Sequence, residues 1–319
     1  MRAQFLNFFF GRARTGVSGT IRRIGWCGWL SFYILLVHGP PLKAETEVRV
    51  EVRTWAALVK HASQCFVPCV GPSQAAQAII LRTRPYGESD KIVTFLTEDC
   101  GKLTGIAKGA KNSRRRFANC LDPFTRVRAY FRARPGASLV FLESCDLLEP
   151  VGELIEPIKF AYGSYLVELV DLITAEAHPV KELYDLLVEG LGELRVSAAT
   201  AALLRAFELQ LLQHAGYDPQ LQHCGRCHHV LDVAAAVFLD SAHGNVVCTA
   251  CRTAQEPLLA VGTETLTALH GLKALPLRTA RQRHFPPGAG AEAAQVMGRL
   301  LALHLPRPLR SIKLIAALR

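Results

Sequence analysis

Cys224-Gly225-Arg226-Cys227 and Cys248-Thr249-Ala250-Cys251 are two CxxC pairs separated by 20 residues. In a CxxC turn both sulfurs can face one cation. Two such turns supply four thiolates, the tetrahedral shell of a zinc ion with no position left for water, so the spacing points to one structural Zn2+. Two disulfides from the same cysteines would need an oxidising compartment. A redox CxxC belongs at a helix start in a βαβ setting, which the surrounding residues do not spell. An iron–sulfur cluster also uses four cysteines, but the symmetric spacing favours zinc. His223, His228, His229 and His243 lie near the pairs and read as neighbours of the site rather than ligands. Cys100, Cys120 and Cys145 have no partner motif and read as ordinary buried thiols.

The second group able to do chemistry is cationic. Lys108, Lys111, Arg114, Arg115 and Arg116 place five cations in nine residues. Like charge at that density repels unless a counter-charge arrives, and phosphates are the counter-charge that gives salt-dependent binding. Lys102, Arg126 and Arg128 flank this run and join it as candidate DNA contacts. Phe117 and Tyr130 are placed to stack on bases, as in single-strand binding surfaces, or to fill a core; the second is the simpler reading.

Catalytic signatures are missing from the text of the chain. There is no GxxxxGK[ST] loop, no HExxH and no GxSxG. Asp90, Asp99 and Asp122 fall where turns are expected, and aspartate is common there for local reasons. The expectation is a protein that is not an enzyme and has no small-molecule substrate.

Those residues need elements to hold them. The chain has 319 residues, half of them hydrophobic and a fifth charged, which excludes disorder over most of its length and allows two or three domains. The net charge of +10 is uneven. Residues 73–150 carry 13 basic and eight acidic side chains, whereas residues 151–319 carry 15 and 16. In the first of these stretches, β-branched and aromatic runs at Gln77–Thr83, Ile92–Thr97, Leu103–Ala107, Thr125–Arg134 and Leu139–Leu142 alternate with turn residues. The last of the long runs sets Arg126, Arg128 and, after a shift, Arg132 and Arg134 among Val127, Tyr130 and Phe131. Five short strands predict a small closed barrel, of OB type or of SH3-like type. Helical periodicity follows from Glu156-Pro157 to His178, over Val180–Leu194, Ala198–His214, Thr263–Leu275 and Ala291–Leu305. The predicted class is therefore α+β: an N-terminal OB-fold β-barrel at 73–150, then an all-α domain at 151–319 with a four-cysteine zinc knuckle inserted at about 222–255.

Residues 1–72 read differently. Arg12, Arg14, Arg22 and Arg23 precede a short apolar stretch from Ile24 to Val37, too short for a membrane span of about 20 apolar residues. The arrangement imitates a signal peptide, but export would clash with four thiolates. The expectation is an atypical extension, outside the fold, produced by a start codon upstream of the natural one.

The order of parts resembles the bacterial RecO family of DNA repair proteins. The resemblance runs from Gln77 to Arg319. It is carried by AIILRTRPYGESDKIVTFLTEDCGKLTGIAKGAKNSRRRF at Ala78–Phe117, by LDPFTRV at Leu121–Val127 and by PLRSIKLI at Pro308–Ile315. It implies a cytoplasmic, nucleoid-associated protein that binds single- and double-stranded DNA and anneals complementary strands. It also implies work with RecR to load RecA, an indirect partner, onto DNA coated by single-strand-binding protein (SSB), whose acidic C-terminal tail some members bind. Zinc occurs in some members of the family. A zinc-ribbon transcription or RNA-binding factor is the alternative that physics alone leaves standing, and an enzyme such as a nuclease with a zinc ribbon is a weaker one.

Overall fold

The computed structural model describes residues 73–318 except 134–138, 232–234 and 254–257. The expected extension at 1–72 lies outside the described residues. Five strands close a barrel in the order β1-β2-β3-β5-β4, which is the OB arrangement rather than an SH3-like one. They are β1 Gln74–Tyr86, β2 Asp90–Thr97, β3 Gly101–Ala107, β4 Arg126–Arg132 and β5 Val140–Glu149. β1 is long enough to serve both sides of the barrel. Its first half pairs with β4, its second half with β2, and a register shift between Ile80 and Arg82 turns it from one to the other. A short parallel contact of β3 with β5 completes the closure.

The run Ile79-Ile80-Leu81 does not alternate because both faces of β1 are covered. Ile80 joins Val93, Phe95, Val127, Ala129, Phe131 and Leu142 inside the barrel. Ile79, Leu81 and Leu96 point outward into the core of the helical half. In β4, Val127, Ala129 and Phe131 are buried while Arg126, Arg128, Tyr130 and Arg132 share the outer face. The alternation is unbroken within the strand, so the expected shift before Arg132 does not occur.

After a short 3₁₀ turn at Gly152–Ile155 come the helices α1 Pro157–Ile173, α2 Lys181–Val196 and α3 Ala201–His214. Pro157 stands at the first position of α1, where its missing N–H costs nothing. Thr200 caps α3 by accepting from the Leu203 amide at 3.1 Å. Ten of the 14 residues of α3 are buried, and it forms the axis around which the others pack. Two of its buried residues are charged: Arg205 and the fully buried Glu208 form an ion pair, joined by the Tyr165 hydroxyl. Burial is what raises the Glu208 carboxyl above its usual range, against the pull of Arg205 and of the Tyr165 hydroxyl.

α1 ends five residues before the expected His178. The segment after it turns against the barrel instead, with Glu176 bridging to Lys102 and the Ala177 amide donating to the Lys102 carbonyl at 2.8 Å. Gly101 makes this approach feasible. It holds φ of +69°, and a Cβ there would lie 2.3 Å from the His178 carbonyl oxygen.

The remaining elements are a three-stranded sheet, β6 Val237–Asp240, β7 Asn245–Cys248 and β8 Leu259–Val261, then α4 Thr263–Lys273, α5 Leu277–Ala280, α6 Ala289–His304 and α7 Ser311–Ala317. Among the described residues no helix is long and apolar enough to cross a membrane.

Candidate nucleic-acid interface and metal centre

The loop from β3 to β4 is anchored at both its ends. The Gly109 amide donates to the Asp90 carboxylate at 2.8 Å and the Lys111 amide to the Ser89 carbonyl at 2.9 Å, tying the loop to the β1–β2 turn. The Gly109 amide, and after it the Ser89 hydroxyl, hold Asp90 below the ordinary carboxylate range. Phe117, Cys120 and Leu121 plug the barrel. Of the three cysteines expected to be ordinary thiols, Cys120 and Cys145 are free and buried, but Cys100 is disulfide-bonded and corrects that expectation. The Cys145 amide reaches the Arg116 carbonyl at 2.8 Å. With the backbone so held, the charged side chains are left outside: Lys108, Lys111, Arg114, Arg115 and Arg116 are all exposed. Lys111 donates to the Gly87 carbonyl, and Arg116 donates to the Lys108 carbonyl and lies over the Phe117 ring at 5.2 Å. Among the described residues none of these five cations, nor the exposed Arg128, forms an ion pair with a carboxylate.

Three expected contacts sit otherwise. Lys102 is a correction: it is buried, donates to the Asp171 carbonyl and lies 3.4 Å from the Asp171 carboxylate. It fastens the barrel to α1 and is withdrawn from any surface partner. Arg126 is half-buried and lies 3.5 Å from Glu149, so it is already partly neutralised. The aromatics separate. Phe117 is core, whereas Tyr130 is half-buried on the outer face of β4 with its hydroxyl donating to Asp146 at 2.8 Å.

Sequence reading passed over Arg82 and Arg84. They stand on the outer face of β1 beside a groove of about 310 Å3 that is also lined by Ile92, Thr94, Thr104, Leu139 and Glu176. Their spacing of two residues, in a strand with period-two alternation, was the available signal. The outer face of β2 and β3 is where OB-folds receive oligonucleotides.

The four expected sulfurs converge. Cys224, Cys227, Cys248 and Cys251 have their Sγ atoms within 4.8 Å of one another, and Cys227 and Cys248 are 3.8 Å apart. Four sulfurs each about 2.3 Å from one central cation stand about 3.8 Å apart, so the set fits a tetrahedral metal. The first knuckle closes through the His228 amide, which donates to the Cys224 carbonyl at 2.9 Å and requires φ of +61° at His228. Gly225 lies against β7, its amide 2.8 Å from the Val246 carbonyl, and a Cβ there would strike the Asn245 side chain at 2.4 Å. Arg226 spans the two knuckles, donating to the Cys251 carbonyl at 2.7 Å and to Asp240. Burial opposes ionisation of Cys224, but amides of Cys227, Cys248 and Arg226 aimed at its sulfur more than offset this and bring its pKa to about 6. Cys224 can therefore meet a metal ion as a thiolate, whereas side-chain hydrogen bonds with Cys227 and Cys248, and after them burial, push Cys251 up to about 12, so that a metal would have to displace its proton. His243 pairs with Asp240 at 2.9 Å. His223, His228 and His229 are exposed, and none belongs to the four-ligand cluster.

Comparison with known proteins agrees in both halves of the chain. Residues 73–151 match the family described as recombination protein O, N terminal, and residues 156–313 match recombination protein O, C terminal. The chain is 37% identical over 232 residues to the DNA repair protein RecO of Anaeromyxobacter dehalogenans strain 2CP-C, spanning 72% of this chain and 91% of that one. It is 35% identical over 240 residues to the protein of that name from Pelobacter propionicus, covering 75% and 94%. It is 35% identical over 245 residues to that from Geobacter sulfurreducens, covering 76% and 97%. A basic OB barrel, a helical half built around α3, a four-cysteine cluster and these matches over both halves together place the chain in the RecO family of DNA repair proteins.

Proposed function

We propose that this protein is a non-enzymatic recombination mediator. It binds single- and double-stranded DNA through the barrel, anneals complementary strands and, with RecR, helps load RecA onto SSB-coated single strands. The observation that carries this reading is the anchored loop of five exposed cations, none of which forms an ion pair with a carboxylate among the described residues. A backbone tied down at both ends and presenting exposed cations holds phosphates without reading sequence.

The contact set consists of Lys108, Lys111, Arg114, Arg115, Arg116 and Arg128, with Arg126 contributing at its exposed edge. The division into a DNA-binding unit at 73–150 and a helical unit at 151–319 belongs to the same proposal. The metal at Cys224, Cys227, Cys248 and Cys251 is one zinc ion; when bound, its chemistry is cross-linking, because four thiolates leave no place for water. The residues themselves hold the two knuckles on β6 and β7. An acidic peptide such as the tail of SSB has a fitting recess in the helical half. That cavity, of about 280 Å3, is lined by Ala202, Leu272, Leu275 and Phe285 together with the exposed Arg283 and His284. The setting of such work is the cytoplasmic nucleoid.

The test is annealing of complementary strands, bare and SSB-coated, followed by fluorescence without any nucleotide. The parent should accelerate pairing. Arg114, Arg115 and Arg116 changed together to alanine should weaken binding and reduce the slope of log affinity against log salt by about 2 for a single strand. An unchanged slope would sink the role given to the loop. Equal affinity for RNA with no annealing would favour an RNA-binding factor instead.

A further inference from the structure

The groove on β1, β2 and β3 has two unlike walls. Strand register places Arg82, Thr94 and Thr104 in one row across the three strands, and Arg84, Ile92 and Ile106 in the next. Ile92 and Thr94 are buried and form the floor, while Arg82 and Arg84 are exposed along one side. On the other side Glu176, from the segment after α1, accepts a hydrogen bond from the Thr104 hydroxyl at 3.1 Å. With neighbouring strands about 4.8 Å apart, the Arg82 and Thr104 positions stand about 10 Å from each other. Arg82 has an acidic partner in Asp171, at 3.7 Å, yet its side chain remains 59% exposed. Among the described residues no cation forms an ion pair with the exposed Glu176.

A groove with cations on both walls would hold phosphates and nothing more. The carboxylate on one wall repels phosphates, so a strand can lie here only with its backbone along Arg82 and Arg84. Its bases are then directed over Ile92 and Thr94 toward Glu176. An ionised carboxylate only accepts hydrogen bonds. It matches base edges that donate from an amino group, such as cytosine N4 or adenine N6, and it repels the O4 acceptor of thymine. We propose that Glu176 is a base-selecting residue, which makes the groove favour amino-bearing bases of a single strand over thymine. This rests on the DNA-binding reading above and adds to it a preference that the cationic loop cannot supply.

The measurement is fluorescence anisotropy with labelled oligo(dC) and oligo(dT) of equal length, using the full chain. The parent should bind oligo(dC) about five-fold more tightly, the scale of one added hydrogen bond. Glu176→Gln, whose amide can also donate to thymine O4, should bring that ratio close to one with an unchanged melting temperature. Arg82→Ala with Arg84→Ala should weaken both oligonucleotides alike and keep the ratio. A parent without the preference, or a Glu176→Gln protein that retains it, overturns the proposal. A parent that binds neither oligonucleotide in a salt-dependent way overturns the DNA-binding reading itself.

Discussion

At the scale of single residues, Glu168 on α1 shows a carboxylate doing work that no periodicity reveals. It accepts from the Arg310 and Ser311 amides at 2.9 and 2.8 Å, from the Ser311 hydroxyl at 2.8 Å and from Arg307 at 2.8 Å. Those amides open α7, a helix of seven residues, too short to hold itself in water. Its first N–H groups have no partner within the helix, and a negative charge there also suits the helix dipole. The family-like stretch Pro308–Ile315 is thus explained structurally: it is the segment that Glu168 pins. Burial tends to raise the Glu168 carboxyl, but the amides of Ser311 and Arg310 more than compensate and hold it below the ordinary glutamate value of 4.5. A folded pKa below the unfolded one means that the stabilisation is complete above that value. It is lost as pH falls through the lower, folded value. Glu168→Gln is expected to cost about 1–3 kcal/mol at pH 7, the scale of hydrogen bonds to a charged group. In urea unfolding the gap to the parent should close as the solution is taken well below pH 4.5. A gap independent of pH would mean that shape, not charge, holds α7.

At the scale of elements, the knuckle is two turns carried by a small sheet. β6 and β7 pair over Val237–Asp240 and Asn245–Cys248, so the second CxxC begins where the hairpin ends. The first CxxC is docked on β7 through Gly225, and Arg226 ties it to Cys251 and to Asp240 of β6. Three of the four cysteines are half-buried, and Cys224 alone of the four is fully buried. A sheet of three short strands has little core of its own, so metal binding and folding of this unit should be one event. Cys248→Ser should lower bound zinc and the melting temperature together, with metal content read by mass spectrometry and melting by circular dichroism. A variant free of metal that melts with the parent would show the cluster to be dispensable. The salt slope of DNA binding should stay as in the parent, because the cationic loop belongs to the barrel.

At the scale of the whole molecule, the barrel keeps a core of its own and lends Ile79, Leu81, Leu96 and Phe124 to the core of the helical half. Phe124, from the loop before β4, packs edge-on against Phe160 of α1 with ring centres 5.3 Å apart, and Arg195 of α2 reaches Glu149 of β5 at 2.8 Å. Lys102 and Asp171 form the polar centre of the same seam. Gly101→Ala is therefore expected to loosen more than a hairpin. It places a Cβ 2.3 Å from the His178 carbonyl oxygen and forces positive φ on alanine. The expected cost is about 2–4 kcal/mol, visible in denaturant unfolding. A loss below about 1 kcal/mol, the cost of strained φ by itself, would show that the seam yields easily.

What the sequence determined by itself was whatever rests on local spacing. Two CxxC turns oblige their sulfurs to face inward in pairs, so the four ligands were legible before any fold. Turn residues between β-branched runs, proline at the start of α1 and apolar periodicity in the helices act within a few residues of themselves, and they placed the barrel and the main helices. The density of charge from Lys108 to Arg116 was legible because those side chains have no apolar room to enter. Tertiary structure decided whatever depends on residues far apart in the chain. Lys102 reads in sequence as one more cation of the patch, but Asp171, 69 residues later, claims it. Arg205 and Glu208 look like the solvated pair of an ordinary helix, yet α3 is enclosed on all sides and they are buried. The pairing of Arg82 with Thr94 and Thr104, and the arrival of Glu176 beside them, follow from strand register and from the turn after α1. A contact of that kind is set by the closure of the barrel and the seating of the helices upon it, and neither is written in the neighbours of any one residue.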